Sequence, residues 1–384
     1  MLSKSFDTGS AVGAASEYPF RVIVVDDSAV IRGTISRWLD ADPDIEVVTT
    51  AANGLIAVQS LKRCKAEVVV LDIEMPEMDG MAAIPELLKI DPDLQIIMAS
   101  TLTARNADIS LRALSIGAAD YIPKPVSSRD SDAAANFRRE LLEKVKTLAG
   151  ARRRKTKEAP LPRPVSHPAP AAETPKLDLA GDTPIRLRPP SPLVPLILAI
   201  GSSTGGPQAL ISLFAQLSPR LSLPVLITQH MPPTFTTMLA EHLQRVTTIP
   251  CSEAVDGEEL RDHHIFIAPG DYHMTVRVEE TRKVIRLDQR PPVNYCRPSV
   301  DPMLQSLVEV YGGRVLTVIL TGMGQDGLEG GRAVTEAGGT VVAQDESTSV
   351  VWGMPGAVAT HGLCSAVLPL DRIGPEVEKL VLGR

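Results

Sequence analysis

A proline-rich stretch divides this chain into two parts. Residues 151–195 contain eleven prolines and no aromatic residue. A segment of this composition cannot bury an apolar core, and it favours extended, partly polyproline II conformations. We therefore expect a linker over residues 149–195 that separates two domains.

Short apolar runs alternate with amphipathic stretches on both sides of this linker. Residues 21–148 hold five strand candidates, and residues 196–384 hold five more with helical patterns between them. Strands joined by helices pair in parallel, because the helix returns the chain to the starting edge of the sheet. The pattern predicts an α/β protein with two doubly wound parallel-sheet domains. The strand candidates are residues 21–25, 45–50, 67–71, 94–99 and 119–122, then 196–200, 223–228, 264–268, 315–320 and 340–343.

Other segments give further local predictions. Polar and β-branched residues alternate over residues 273–287, which predicts a β-hairpin inserted in the second domain. The last helix of the first domain is predicted over residues 133–148, and residues 1–20 are expected to form a flexible N-terminal extension. The basic run 152–155 could bind a polyanion, but we interpret it as a solvated helix end.

Composition excludes several classes of protein. The net charge of −7 argues against nucleic acid as the main partner, and 3% aromatic residues argue against base stacking. No apolar run approaches the length of a membrane span, and the N-terminus lacks the apolar core of a signal peptide. The four cysteines are scattered, which is typical of free thiols in a reducing compartment. We expect a cytoplasmic protein without direct membrane insertion.

Polar side chains follow four strand candidates of the first domain. Asp26 and Asp27 end the first strand, Asp72 the third, Ser100 the fourth and Lys124 the fifth. The carboxyl ends of central parallel strands meet at one crevice, so these groups should lie together. Three carboxylates repel one another unless a hard cation such as Mg²⁺ binds them. A carboxylate nucleophile with a metal, a lysine and a hydroxyl indicates phosphoryl transfer onto Asp72. A lone strand-end aspartate often only caps a helix, but that explanation does not cover five groups.

The second domain has three polar candidates at predicted strand ends. Ser203 lies in a Gly-x-Ser-x-Gly pattern directly after an apolar run, His230 follows the next strand, and Asp326 lies in a glycine-rich loop after another. Serine, histidine and aspartate at one sheet edge fit a catalytic triad. The serine attacks, the histidine transfers the proton, and the aspartate orients the imidazole ring of the histidine. The chain order differs from that of α/β-hydrolases, so the serine pattern alone does not imply that fold.

Alternative interpretations exist for each candidate. The glycine-rich turn around Ser203 could bind phosphate, although no lysine follows in the Walker position. Asp326 could merely cap a helix. His263, His264 and His273 cluster in sequence, but no carboxylate at metal-ligand spacing supports a zinc site.

Residues 21–148 resemble the receiver domain of bacterial response regulators. The Asp-Asp, Asp-x-x-Met-Pro and Lys-Pro motifs around Asp26, Asp72 and Lys124 all fall in register. The resemblance implies a flavodoxin-like fold, Asp72 as the phosphoacceptor and a sensor histidine kinase as the phosphodonor. It also implies a Mg²⁺ ion, phosphoryl contacts and an aromatic residue that changes rotamer. The implied ligands are Asp27, Asp72, the Glu74 backbone carbonyl and Asp26 through water; the implied contacts are Ser100 and Lys124; the aromatic is Tyr121.

Residues 196–384 resemble the methylesterase domain of chemotaxis-type protein-glutamate methylesterases. The matching segments are residues 199–206, 228–233, 294–299, 320–327 and 352–356. The resemblance implies a Rossmann-like esterase domain without a cofactor. It implies hydrolysis of glutamate γ-methyl esters on chemoreceptor helices, with release of methanol, and in some relatives deamidation of receptor glutamines. The backbone N–H of Met323, and that of Thr204, are the implied oxyanion donors.

Three rival functions remain. A response regulator with a purely binding output domain would not need Ser203, His230 and Asp326 at strand ends. A DNA-binding regulator would need a basic helix-turn-helix, and the sequence after the linker shows none. A general small-molecule esterase remains open.

Overall fold

The computed structural model describes residues 18–101, 103–124, 131–156 and 185–383. The expected flexible extension falls almost entirely outside these residues, as does most of the expected linker. Among the described residues, no helix combines the length and apolarity that crossing a membrane requires.

The described residues before the linker form a five-stranded parallel sheet in the order β2-β1-β3-β4-β5. This is the flavodoxin-like order, with helices between the strands, and it confirms the predicted fold class for this domain. The strands lie within one or two residues of their predicted bounds. The elements are β1 Phe20–Val25, α1 Ala29–Asp40, β2 Ile45–Ala51, α2 Gly54–Leu61, β3 Val68–Asp72, α3 Gly80–Ile90, β4 Gln95–Thr101, α4 Ala104–Ser115, β5 Asp120–Lys124 and α5 Ser131–Thr156.

Short polar side chains begin the helices of this domain. Ser28, Asn53, Asp79 and Thr103 each accept a hydrogen bond from a backbone N–H of the first turn that follows. Such caps satisfy N–H groups that have no partner within the helix. The caps therefore fix where these four helices begin.

The last helix of the first domain differs from its prediction. Helix α5 continues to Thr156, eight residues past the predicted end at residue 148, so the predicted linker begins inside a helix. The basic run does end a helix, and Arg154 and Lys155 are exposed, but the interpretation as a solvated helix end is wrong for Arg152 and Arg153. Arg152 is buried, with Nη2 2.8 Å from Asp91 Oδ2, and Arg153 forms an ion pair with Glu67. These ion pairs hold the helix end against the domain.

The second domain, within residues 185–383, contains a seven-stranded parallel sheet in the order β14-β13-β12-β6-β7-β9-β8. The predicted parallel sheet and the inserted hairpin, β10 with β11, are both present. The short strands β8 and β14, at the two edges of the sheet, were not predicted. The elements are β6 Ile197–Ser202, α6 Gly206–Gln216, β7 Val225–Gln229, α7 Phe235–Val246, β8 Cys251–Glu253, β9 Ile265–Ile267, β10 His273–Glu279, β11 Arg282–Asp288, α8 Val300–Tyr311, β12 Val315–Ile319, α9 Leu328–Glu336, β13 Thr340–Gln344, α10 Met354–Thr360, β14 Ala366–Leu368 and α11 Leu370–Leu382.

The two domains pack directly against each other. The buried ring of Tyr121, in β5, stacks on Phe235 at the start of α7, with centroids 4.5 Å apart and planes at 11°. Nearby, His242 Nε2 lies 2.9 Å from Asp108 Oδ1. Aromatic stacking of this kind adds to the stability gained from area burial alone. The β5 and α4 side of the first domain therefore lies against α7 of the second domain.

The tight approach of α3 to Asp72 gives a stability prediction. A Cβ on Gly80 would lie 2.2 Å from the carbonyl oxygen of Asp72, and backbone cannot move aside as a flexible side chain can. We expect Gly80→Ala to destabilise the first domain by about 1–3 kcal/mol in urea unfolding. Gly33→Ala is the matched control, since a Cβ there meets nothing within 4 Å. It should stabilise α1 by about 0.5–1 kcal/mol. Equal midpoints for the two variants would contradict the steric argument.

Candidate active site

Ser203 lies on a sharp turn between β6 and α6. Gly205 has a φ of +74°, a left-handed conformation that glycine adopts without strain. A Cβ on Gly206 would lie 1.9 Å from Gln229 Oε1, so only glycine fits at the start of α6. The neighbouring Ser202 is fully buried and donates to Gln229 Oε1 at 2.6 Å. Of the two adjacent serines, only Ser203 is free of such a core hydrogen bond and partly accessible.

A second loop supports the Ser203 turn. The Ser203 N–H donates to the Thr321 carbonyl at 3.0 Å, and a Cβ on Gly322 would lie 2.9 Å from Ser203 Cβ. Within the described residues, the backbone N–H groups of Thr204 and Met323 have no acceptor. Both predicted oxyanion donors therefore have their N–H groups available next to the serine.

Asp326 holds the ring of His230. His230 Nε2 lies 2.7 Å from Asp326 Oδ2, and the carboxylate is 1% exposed. Asp326 also accepts five further hydrogen bonds. They come from the Ser299 hydroxyl, the Asn294 side-chain amide and the backbone N–H groups of Val300, Asp301 and Gly327.

These donors hold Asp326 as a carboxylate. Burial tends to raise its pKa, but the hydrogen bonds from His230, Val300 and Ser299 hold the pKa below the usual range. Asp326 does cap a helix, since it accepts from the backbone N–H groups that begin α8, but its bond to His230 goes beyond that alternative. The structure brings His230 and Asp326 into hydrogen-bond contact.

The other ring nitrogen of His230 faces a cysteine. Cys296 Sγ lies 3.4 Å from His230 Nδ1, and within the described residues the ring hydrogen-bonds Asp326 and Cys296 but not the Ser203 hydroxyl. Burial lowers the pKa of His230, yet the Cys296 sulfur and the Asp326 carboxylate outweigh it and raise the pKa to about 10.

Asp301, at the start of α8, has a supporting role that sequence analysis did not find. Its Oδ2 accepts from Asn294 Nδ2 at 2.9 Å, and its Oδ1 accepts from the backbone N–H groups of Gly327 and Gly330. Burial and the neighbouring Asp326 carboxylate raise the pKa of Asp301 to about 6. The proximity of Asp301 to Asp326 depends on contacts across 25 residues of sequence, and no local spacing signals it.

The acidic residues of the first domain form the predicted pocket. Oxygen atoms of Asp26, Asp27 and Asp72 lie within 4.8 Å of one another. Lys124 Nζ lies 2.7 Å from both Asp26 Oδ2 and Asp72 Oδ1. Burial raises the pKa of Asp72 above its usual range, although Lys124 opposes this. Three convergent carboxylates match the oxygen ligands that Mg²⁺ prefers.

The remaining predicted residues of this pocket lie as follows. Ser100 lies in β4, one residue before the end of the strand. Its hydroxyl lies 3.2 Å from Ser110 Oγ and contacts neither Asp72 nor Lys124. Glu74 follows β3 with an exposed side chain. Tyr121 is buried against the second domain, and burial raises the pKa of its hydroxyl well above the usual value.

Asp120 connects the first domain to the serine turn. The Thr204 hydroxyl donates to Asp120 Oδ2 at 2.7 Å, and Lys144 of α5 forms an ion pair with the same oxygen. Asp120 is 4% exposed and opens β5, the strand that ends at Lys124. Nearby, Thr147 of α5 contacts the Met323 sulfur at 3.2 Å. Residues on both sides of Ser203 are thus covered by the first domain.

Family comparisons agree with this geometry. The family model for the CheB methylesterase matches residues 198–377, and the model for the response regulator receiver domain matches residues 22–136. A protein-glutamate methylesterase/protein-glutamine glutaminase of Rhodopseudomonas palustris is 52% identical over 100% of this chain and 99% of its own length. The chain belongs to the protein-glutamate methylesterase family.

Further members of the protein-glutamate methylesterase family are similarly close. One from Rhodospirillum rubrum is 53% identical, covering 94% of each chain. The crystal structure of the Thermotoga maritima CheB methylesterase catalytic domain is 40% identical, with a TM-score of 0.48, and covers 49% of this chain and 100% of that one. The two family models identify the first domain as a receiver domain and the second as a methylesterase domain.

The contact between Cys296 and His230 in this methylesterase domain leads to a prediction about the pKa of His230. Because the sulfur helps to raise the pKa of His230, Cys296→Ala should lower that pKa from about 10. The pKa can be read from the imidazole resonances of labelled protein in NMR. Cys251→Ala, on β8, is the matched control and should leave His230 unchanged. An unchanged His230 pKa in Cys296→Ala would show that Asp326 alone sets it.

Proposed function

We propose that this chain hydrolyses γ-methyl esters of glutamates on the cytoplasmic helices of chemoreceptors and releases methanol. We include deamidation of glutamines in the proposal, since an amide can react by the same acyl-transfer route. The observation that carries it is the buried Asp326–His230 pair beside a serine turn with two unpaired N–H groups. A cytoplasmic location follows from the position of the substrate helices.

In the proposed reaction, Ser203 Oγ attacks the ester carbonyl. Its proton goes to His230 Nδ1, because Nε2 is engaged by Asp326. Nδ1 accepts that proton only in the neutral ring, and Cys296 must give way for the serine to reach it. The Thr204 and Met323 N–H groups stabilise the oxyanion. Collapse breaks the ester C–O bond, and methanol leaves with the proton from His230. Water then hydrolyses the glutamyl-serine ester with His230 as base.

The adjacent serines give the sharpest test of this mechanism. Ser203→Ala removes the nucleophile and should lower methanol release from methylated receptor membranes by about 10⁶-fold. Ser202→Ala is the matched control, because Ser202 only hydrogen-bonds Gln229 in the core. It should keep most of its turnover, with some loss of stability. Activity lost in Ser202→Ala and retained in Ser203→Ala would refute the assignment.

Phosphorylation of the receiver is proposed to occur on Asp72, with a sensor histidine kinase as the phosphodonor. Asp27 and Asp72 would hold Mg²⁺ together with the Glu74 carbonyl, and Asp26 would assist through water. When bound, the ion neutralises the carboxylates and the incoming phosphoryl oxygens. Lys124 already contacts Asp72 and would pair with the phosphoryl group. Ser100 would have to turn away from Ser110 to reach it.

The receiver is proposed to restrain the esterase until Asp72 is phosphorylated. Its residues Asp120 and Thr147 contact Thr204 and Met323, which flank Ser203 in space. A bulky receptor helix needs this face, so the contact should limit access. Strand β5 carries Lys124 at one end and Asp120 at the other, so a shift of Lys124 toward a phosphoryl group would disturb the Asp120 contact.

The stack of Tyr121 on Phe235 provides the test of this restraint. Tyr121→Ala removes the stack and should raise methylesterase activity of the unphosphorylated full chain severalfold, since about 1.4 kcal/mol shifts an equilibrium tenfold. Acetyl phosphate should then stimulate the variant less than the wild type. Tyr121→Phe keeps the stack and should behave like the wild type. A Tyr121→Ala variant that is folded, no faster and equally stimulated would rule out restraint through this contact.

A further inference from the structure

Tyr295 stands beside the catalytic pair, and no step of the proposed reaction uses it. Its side chain is 83% exposed. It is the second central residue of a two-residue turn, closed by hydrogen bonds from Val293 N–H to the Cys296 carbonyl at 3.1 Å and from Cys296 N–H to the Val293 carbonyl at 2.9 Å. The φ angles of Asn294 and Tyr295 are +51° and +62°. This is the pattern of a type I′ turn.

A tyrosine is a costly choice at this position of the turn. Type I′ turns favour asparagine followed by glycine, because both central residues adopt the left-handed region. Asn294 fits that preference, but Tyr295 does not, since a side chain in this region is strained. The ring buries almost nothing in return. The fold therefore gains little stability from the tyrosine to offset the strain, a situation that is typical of functional positions.

The turn is fixed to the catalytic residues on both sides of Tyr295. Asn294 donates to Asp326 Oδ1 at 3.0 Å, and Cys296 Sγ lies 3.4 Å from His230 Nδ1. The backbone of Tyr295 is thereby held in place while its ring projects to solvent. A rigidly held, exposed aromatic ring can bind a partner with little loss of conformational entropy.

A receiver side chain already contacts this ring. The guanidinium carbon of Arg139, in α5, lies 4.7 Å from the centroid of the Tyr295 ring. Such a cation–π contact shows that the ring is accessible to a side chain from another domain. The receiver also contacts Thr204 and Met323 of the same domain, through Asp120 and Thr147.

We propose that Tyr295 is a substrate-contact residue. Its ring packs against the polypeptide that flanks the esterified glutamate, and Arg139 competes with that polypeptide for the ring. This inference rests on the proposed function. It assigns Tyr295 to recognition of the protein part of the substrate, since a lone methyl ester at Ser203 has no need of an aromatic surface beyond the His230 ring.

The test compares a protein substrate with a small one. Methanol release is measured with a methylated receptor cytoplasmic fragment and with N-acetyl-glutamate γ-methyl ester. Tyr295→Ala should raise KM for the receptor fragment about fivefold with kcat little changed, the effect of losing one aromatic contact. Its kcat/KM for the small ester should match the wild type. Tyr295→Gly should show the same loss without a lower melting temperature, because glycine suits the turn.

Tyr311→Ala is the matched control. Lys283 Nζ lies 4.0 Å from the centroid of the Tyr311 ring, so this tyrosine also has a cation over its ring. Tyr311 is the last residue of α8, about 16 Å along the helix from the residues that contact Asp326. It should leave KM for both substrates unchanged. Equal losses for both substrates in Tyr295→Ala would mean that the tyrosine only holds the turn, and no change for either would remove the assignment. A wild-type chain inactive on both substrates would instead overturn the proposed function, and this inference with it.

Competition by Arg139 has its own test in the unphosphorylated full chain. Arg139→Ala should lower KM for the receptor fragment two- to threefold, the effect of removing an exposed cation–π contact. It should have no such effect in the Tyr295→Ala background, and Arg139→Lys should resemble the wild type. An equal decrease of KM in both backgrounds would show that Arg139 acts elsewhere than on this ring.

Discussion

The carboxylate of Asp326 organises the catalytic face, because six donors from four separate parts of the chain converge on it. They come from the end of β7, the turn at Asn294, the start of α8 and the start of α9. A buried charge is tolerated only when hydrogen bonds replace the lost water. Each of these four segments is therefore held in place by its hydrogen bonds to this carboxylate. The orientation of the His230 ring follows from the same constraint, since Asp326 takes one of its two nitrogens.

A second buried carboxylate, Asp120, has the corresponding role between the domains. It accepts from Thr204 in the methylesterase domain and pairs with Lys144 of α5. Burial lowers the pKa of Lys144, but Asp120 and Glu140 outweigh this and keep it raised, so the lysine stays charged. Separation of the domains would remove one hydrogen bond from Asp120 and leave its ion pair within the receiver. Asp120 is thus never left without a partner, which allows the contact to open.

Much of the fold and the central residues of both sites could be predicted from the sequence. Asp72, Lys124, Ser203 and His230 each follow an apolar run, so strand position alone placed them at the sheet edges. Asp301 and Asp120 could not be found in this way. Their roles depend on partners 25 and 84 residues away, and neither lies in a local pattern that marks contact.

The error over the basic run has a similar cause. Arginines at a helix end usually face solvent, and the proline-rich composition that follows suggested that the helix had already ended. The ion pairs of Arg152 and Arg153 depend on Asp91, which follows α3, and on Glu67, which precedes β3. The same tertiary contacts extend α5 to Thr156 and so place Arg139 and Thr147 on a rigid helix rather than on a linker.

The energy needed to shift the interface toward its open state is small compared with the stability of a typical domain. A hydrogen bond to a charged group contributes about 1.5–3 kcal/mol, and about 1.4 kcal/mol changes a population ratio tenfold. Loss of the Thr204–Asp120 hydrogen bond alone would therefore shift the ratio of open to closed molecules by about one to two orders of magnitude. Strand β5 spans only Asp120–Lys124, and its far end already contacts Asp72. A displacement of less than 1 Å along this short strand is enough to break a 2.7 Å hydrogen bond. The receiver can accordingly control the esterase without a large rearrangement within either sheet.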